Sequence, residues 1–174
     1  TSGNTSTIAR GVGAHRSHVA TGSRRHRDVG CSDCHLVPAS LTAAGHLDTA
    51  RPAELTWSVT ASAGGATPVF DGTTCAGAWC HGAGLDDGGG ATTAPEWTRV
   101  DGTQAACGAC HGLPPEGEHP SMTRCELCHG AVAGPGFTFR DPSRHIDGTV
   151  DVVDGECDSC HGGGGEAAPP LDLS

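Results

Sequence analysis

A single domain that is mostly coil, with short helices and few short strands, is the fold class this sequence predicts, on three observations. Large apolar side chains are scarce, with 3 Phe, 3 Trp, no Tyr and 1 Met among 174 residues. Turn formers abound: 28 Gly and 11 Pro interrupt any long regular element. The ten cysteines fall into five pairs, and each pair is closed by a histidine. The first two observations leave too little apolar surface for an ordinary core and, taken alone, describe a disordered chain. The third argues for order imposed by groups bound to the cysteines.

The pairs are Cys31/Cys34 before His35, Cys75/Cys80 before His81, Cys107/Cys110 before His111, Cys125/Cys128 before His129, and Cys157/Cys160 before His161. Two cysteines three apart with histidine next is the attachment pattern of c-type haem. Each thiol can add to a vinyl group of the porphyrin, and the adjacent imidazole sits under the iron as proximal ligand. The second pair is stretched, with Ala76-Gly77-Ala78-Trp79 between its cysteines. A disulfide scaffold would not need histidine after every second cysteine. Zinc and iron-sulfur sites join two pairs each, and five pairs do not divide that way. For Cys75/Cys80 alone, a local disulfide is the competing reading. Five covalent haems would supply the apolar bulk that the side chains lack, giving a haem-cored multihaem cytochrome c.

Six histidines remain: His15, His18, His26, His46, His119 and His145. Five irons with two imidazoles each need five of them, and Met122 is the only methionine, so histidine ligation on both faces is expected. His15, His18, His46, His119 and His145 are the distal candidates, and His26, set among Arg24, Arg25 and Arg27, is the spare. His15 and His18 lie three apart, so a helical turn would project both rings from one face toward two neighbouring haems.

In chain order, residues 1–10 read as a flexible or partner-docked arm. Leu55-Thr56-Trp57-Ser58-Val59 and Pro68-Val69-Phe70 are β-like runs broken by Gly64-Gly65, suited to a small hairpin or an edge strand. Asp86 and Asp87, in a glycine-rich acidic loop, lack the ligand spacing of a calcium loop. Pro114-Pro115 and His119 should fold residues 112–124 back, making the third and fourth haems neighbours. A short strand is expected at residues 149–153 and an extended tail at 162–174. Short helical turns should carry the cysteines. The glycines after four of the motif histidines (Gly82, Gly112, Gly130 and Gly162) would end those turns in the left-handed conformation or admit a porphyrin face. Gaps between motifs vary, so no repeat of fixed length is present.

The stretched motif, the Glu96-Trp97 segment, the run from Cys107 to Pro115, the next C-x-x-C-H motif and the segment from His145 to Asp151 together resemble the CxxxxCH/CxxCH multihaem cytochromes of metal-reducing and related bacteria. The N-terminal Gly13-Ala14-His15-Arg16-Ser17-His18 and Gly45-His46-Leu47-Asp48 fit the same likeness, which covers nearly the whole chain. It implies secreted or surface-exposed electron carriers with bis-histidine haems, and it favours His15 and His18 over His26. Some such cytochromes polymerise into filaments with stacked haems, sometimes taking an axial histidine from the next subunit.

A formal charge of −10 opposes nucleic acid as a partner. No apolar run is long enough for a membrane span. The chain starts at Thr1 without a leader, as a processed secretory protein would, and haem attachment outside the cytoplasmic membrane points the same way. The expected function is electron transfer in a secreted, extracellular protein, or else a periplasmic one. Redox proteins or extracellular acceptors are the expected partners, and self-assembly into a filament is expected over a diffusible shuttle. A small multihaem reductase with one open iron is the catalytic alternative, but enough histidines exist to close every iron, so no enzyme activity is expected.

Overall fold

The computed structural model describes residues 3–22, 25–46, 48, 53–85, 88–117 and 119–152. Cys157, Cys160, His161, the tail, and Asp86 with Asp87 lie outside the described residues. What is described is mostly coil, with one short α-helix, several 3-10 turns and two two-stranded sheets. The helix, α1 (His15–Val19), has no capping side chain at its start. Its two histidines hold it from within, His15 Nδ1 donating to the Val12 carbonyl (2.8 Å) and His18 Nδ1 to that of Ala14 (2.9 Å).

Strands β1 (Val69–Phe70) and β2 (Cys75–Ala76) form an antiparallel hairpin, with Val69 opposite Ala76 and Phe70 opposite Cys75. Its turn is set by Asp71, whose carboxylate accepts from the amides of Thr73 and Thr74, both at 2.7 Å. An Asp that captures the amides two and three residues on makes this local turn cheap. The pairing ends at Gly77, where a side chain would strike the Thr67 carbonyl. The second hairpin joins β3 (Ala133–Gly134) to β4 (Thr138–Phe139) through Pro135-Gly136-Phe137. Sequence reading missed it, although Pro-Gly is a turn signal.

Two expected strands are absent. Leu55–Val59 forms no ladder, and its bonds go to the first cysteine motif: Thr56 N–H donates to Cys34 O (3.0 Å) and Ser58 N–H to Asp33 O (3.1 Å). Residues 149–152 likewise form no strand, and the Asp151 carbonyl accepts from His129 Nδ1 at 2.6 Å. In both places the backbone groups that a ladder would have used are committed to a motif.

Among the described residues the buried apolar set is Val12, Ala14, Ala61, Ala66, Ala78 and Ala109, and no large side chain is fully buried. Small side chains of this kind supply little of the usual driving force for folding. Residues from most of the described chain line one open cavity of about 2820 Å³.

Candidate haem-binding sites and their histidine pairs

Two of the four described motifs are built alike. A 3-10 turn spans Cys31–Asp33 and another Cys125–Leu127. In each, the amide of the closing histidine reaches back to the first cysteine, His35 N to Cys31 O (2.9 Å) and His129 N to Cys125 O (2.8 Å). The stretched motif divides its work: Cys75 stands on β2, and a separate 3-10 turn, Trp79–His81, carries Cys80 and His81. The extra residues are what it takes to leave a strand and enter a turn. Gly82 ends that turn in the left-handed conformation, φ 94°, as expected. The expectation fails for Gly112 and Gly130, neither of which has positive φ. Gly112 is instead required by the chain's own backbone, since a Cβ there would lie 2.6 Å from Pro114 O. The Cys107–Cys110 motif is not helical; it is a bend with Gly108 at φ 84°, and the nearby 3-10 turn is Thr103–Ala105.

The motifs are close in space. Burial pushes the Cys34 thiol up to about 11, and the charges of Asp33, Cys75 and Cys80 add to it. Burial also raises Cys80, which feels Cys110 in turn. A side chain at Gly82 would collide with the Cys110 carbonyl, so the second and third motifs touch through backbone. All eight described cysteines are free thiols, Cys75 and Cys80 included.

Every described histidine lines the cavity, as do all described cysteines except Cys128. A site for one small molecule has roughly 300–1,000 Å³, so a cavity of about 2820 Å³ has room for several large groups. The rings meet in twos across it. His15 and His35 have centroids 6.1 Å apart, His18 and His81 6.0 Å, and His119 and His129 6.2 Å. Their interplanar angles are 22°, 76° and 10°. Ring packing would tie separation to angle, because stacked and edge-on pairs prefer different distances. Two imidazoles on opposite sides of one metal behave otherwise: bonds of about 2 Å each fix the centroids at roughly 6 Å apart and leave rotation about the axis free. The three separations run only from 6.0 to 6.2 Å while the angles run from 10° to 76°. Among the described residues, no three His, Cys, Asp or Glu side chains converge as a bare ion would require.

The nitrogen chemistry agrees. Nδ1 meets a backbone carbonyl in His15, His18, His26, His35, His46, His111, His119, His129 and His145. A carbonyl only accepts, so Nδ1 carries a proton, and in a neutral ring of that tautomer Nε2 keeps the lone pair that a metal would take. His81 lacks this bond; burial, and then the charge of His18, hold it down to about 4, so its ring is neutral at pH 7.

The residues that line the cavity include histidines the sequence pointed to and one it took as the spare. His26 also has its Nδ1 against a backbone carbonyl, Arg27 O at 2.6 Å. Residues 25–27 dock on 145–146 through Arg27 N–H to His145 O (3.1 Å) and Arg27 Nε–H to Ile146 O (3.0 Å), which brings His26 beside His145. His145 is lowered by burial and feels the charges of both His111 and His26. His46 is exposed, bonded to Leu41 O, and faces no other ring among the described residues.

The family model described as the Geobacter CxxxxCH...CXXCH motif matches residues 74–111, the stretch from the β1–β2 turn through the third motif. Residues 74–111 carry the CxxxxCH/CxxCH motif of multihaem c-type cytochromes. No curated protein and no solved structure matches the chain significantly. The motif covers two of the pairs and supports a multihaem c-type cytochrome of the electron-transfer kind, with cysteines suited to covalent haem.

Proposed function

We propose that this chain is an exported electron carrier that holds five c-type haems between histidine pairs and assembles end to end into a filament. The observation that carries the reading is the set of three ring pairs at 6.0–6.2 Å around one cavity. Bound haem iron supplies a one-electron couple whose potential depends on axial ligand, burial and hydrogen bonding.

The ten cysteines would anchor the groups. His35, His81, His111, His129 and His161 would be the proximal ligands. His15 serves opposite His35, His18 opposite His81 and His119 opposite His129. His145 is assigned to His111, and His46 remains for His161 or for a neighbouring copy. Among the described rings assigned here, all but His81 have Nδ1 on a carbonyl, which fixes their tautomer and orientation. With every iron closed by two imidazoles, no coordination position is left for a substrate, which supports conduction over catalysis.

Export is supported by the chemistry of covalent haem attachment, and no helix among the described residues is long and apolar enough to cross a membrane. Assembly is supported by the exposed apolar residues Ile8, Leu41 and Val59 and by the exposed, ligand-ready His46. Intact mass together with the haem-to-protein ratio tests the cofactor reading: five haems per chain are expected, and a colourless chain would overturn it. Electron microscopy of native material tests assembly, and isolated particles alone would refute the filament.

A further inference from the structure

The indole of Trp97 stands against the rings of both histidines on α1. Its centroid is 4.8 Å from His15, edge-on at 86°, and 5.7 Å from His18, near-parallel at 30°. Two contacts fix the indole itself, Nε1–H donating to Arg10 O (2.8 Å) and Phe70 meeting it edge-on at 6.1 Å, and the backbone N–H of Trp97 donates to Thr73 O (2.8 Å). Gly13 is cut to fit it, since a Cβ there would penetrate the indole. The tryptophan therefore ties the turn of the β1–β2 hairpin to α1. Among the described aromatic contacts it is the side chain that touches two histidines belonging to two different pairs.

We propose that Trp97 is a positioning residue for two irons at once, setting the ring planes of His15 and His18 and so the different angles, 22° and 76°, that these make with His35 and His81. The Nδ1 bonds to Val12 O and Ala14 O fix one point on each ring. A ring held at one point can still swing about it, and α1 is too short to stiffen its own side chains. The indole supplies the missing wall, standing perpendicular to the His15 ring and near-parallel to that of His18. Ligand-plane orientation governs the splitting of the iron d orbitals, so one side chain would make two neighbouring haems electronically unlike, as second-shell groups tune metal sites elsewhere. The inference rests on the haem reading above and adds to it a residue outside every cysteine motif.

The test compares holoprotein with Trp97→Ala and Trp97→Phe, read by low-temperature EPR of the ferric form and by haem-to-protein ratio. With haem content unchanged, Trp97→Ala should shift the signals of two haems and leave the others in place. Trp97→Phe keeps a ring but loses the bond to Arg10 O, and should move the same two by less. If Trp97→Ala loads no haem, Trp97→Phe alone decides. Haem-loaded variants with unshifted signals, or with one haem or all of them shifted, would overturn the proposal. Wild-type protein without haem would instead overturn the functional reading on which it rests.

Discussion

The first and second motifs solve one problem in different ways. In the first, the motif's imidazole is oriented by a distant carbonyl: His35 Nδ1 donates to Glu54 O at 2.8 Å, and Leu55–Val59 is stitched to the motif behind it. The fourth motif repeats that solution with His129 and Asp151 O, over a different sequence gap. His81 in the stretched motif has no such carbonyl; burial holds it instead, beside the ring of His18, and the turn that carries it is pinned by Trp79 N–H bonded to Ala61 O (2.9 Å). Where a downstream segment can return to the motif, hydrogen bonding orients the ligand. Where the cysteines are split between strand and turn, packing does.

The largest break in that comparison is the removal of the stretched pair. Cys75→Ser with Cys80→Ser should lower the haem count by one, from five to four by intact mass. Because the interior there has few side chains to take the place of the lost group, the thermal midpoint should fall as well. An unchanged count would mean the pair carries no haem.

Next in size are the distal ligands. His18→Ala should open one iron, seen as carbon monoxide binding to one haem of the reduced protein, and His15→Ala should open another. If either variant binds no more carbon monoxide than wild type, its ring pair is not a ligand pair.

A smaller effect is expected from Asp33, which lies 2.6 Å from Arg27 and also accepts from Gly30 N–H (2.8 Å) and Ser58 Oγ–H (3.0 Å). Burial alone would raise its pKa, but the Arg27, Gly30 and Ser58 bonds outweigh that and hold the carboxyl below its usual range. A depressed folded value means stability that is complete above the unfolded value, near 3.8, and lost as pH falls through the lower folded one. Asp33→Asn should cost about 2 kcal/mol at pH 7, the worth of hydrogen bonds to a charged group, measured by denaturant unfolding. The difference from wild type should shrink below pH 4, and a gap independent of pH would contradict the role given to the carboxylate.

The smallest is Thr56→Pro, which deletes the Thr56 N–H bond to Cys34 O without touching a ligand. About 1 kcal/mol should be lost, with haem content intact and the spectrum of one haem perturbed. No spectral change would show that the Leu55–Val59 segment does not orient His35.

The parts legible in the sequence are those where chemistry dictates spacing. Cysteine pairs closed by histidine mark their own function, and His15 with His18 could be placed on one helical face because three residues make nearly a full turn. Leu55–Val59 misled because β-branched and aromatic residues suit any extended segment, and composition does not say whether the partner is a strand or a motif backbone. Residues 149–152 misled for the same reason. His26 was set aside for its arginine neighbours, yet the docking of Arg27 on His145 and Ile146, a contact across more than a hundred residues, is what brings it to the cavity. The role of Trp97 was hidden in the same way, since its partners Arg10, Gly13 and Phe70 are remote in sequence.

The central claim is that histidines meet in pairs across irons with separation fixed and angle free. Low-temperature EPR of the fully ferric wild-type protein tests it most directly. The account predicts low-spin iron throughout, with a rhombic signal from the near-parallel pairs His15/His35 and His119/His129 and a strongly anisotropic one from the near-perpendicular pair His18/His81. A spectrum dominated by high-spin iron, or one in which all low-spin centres are alike, would contradict it.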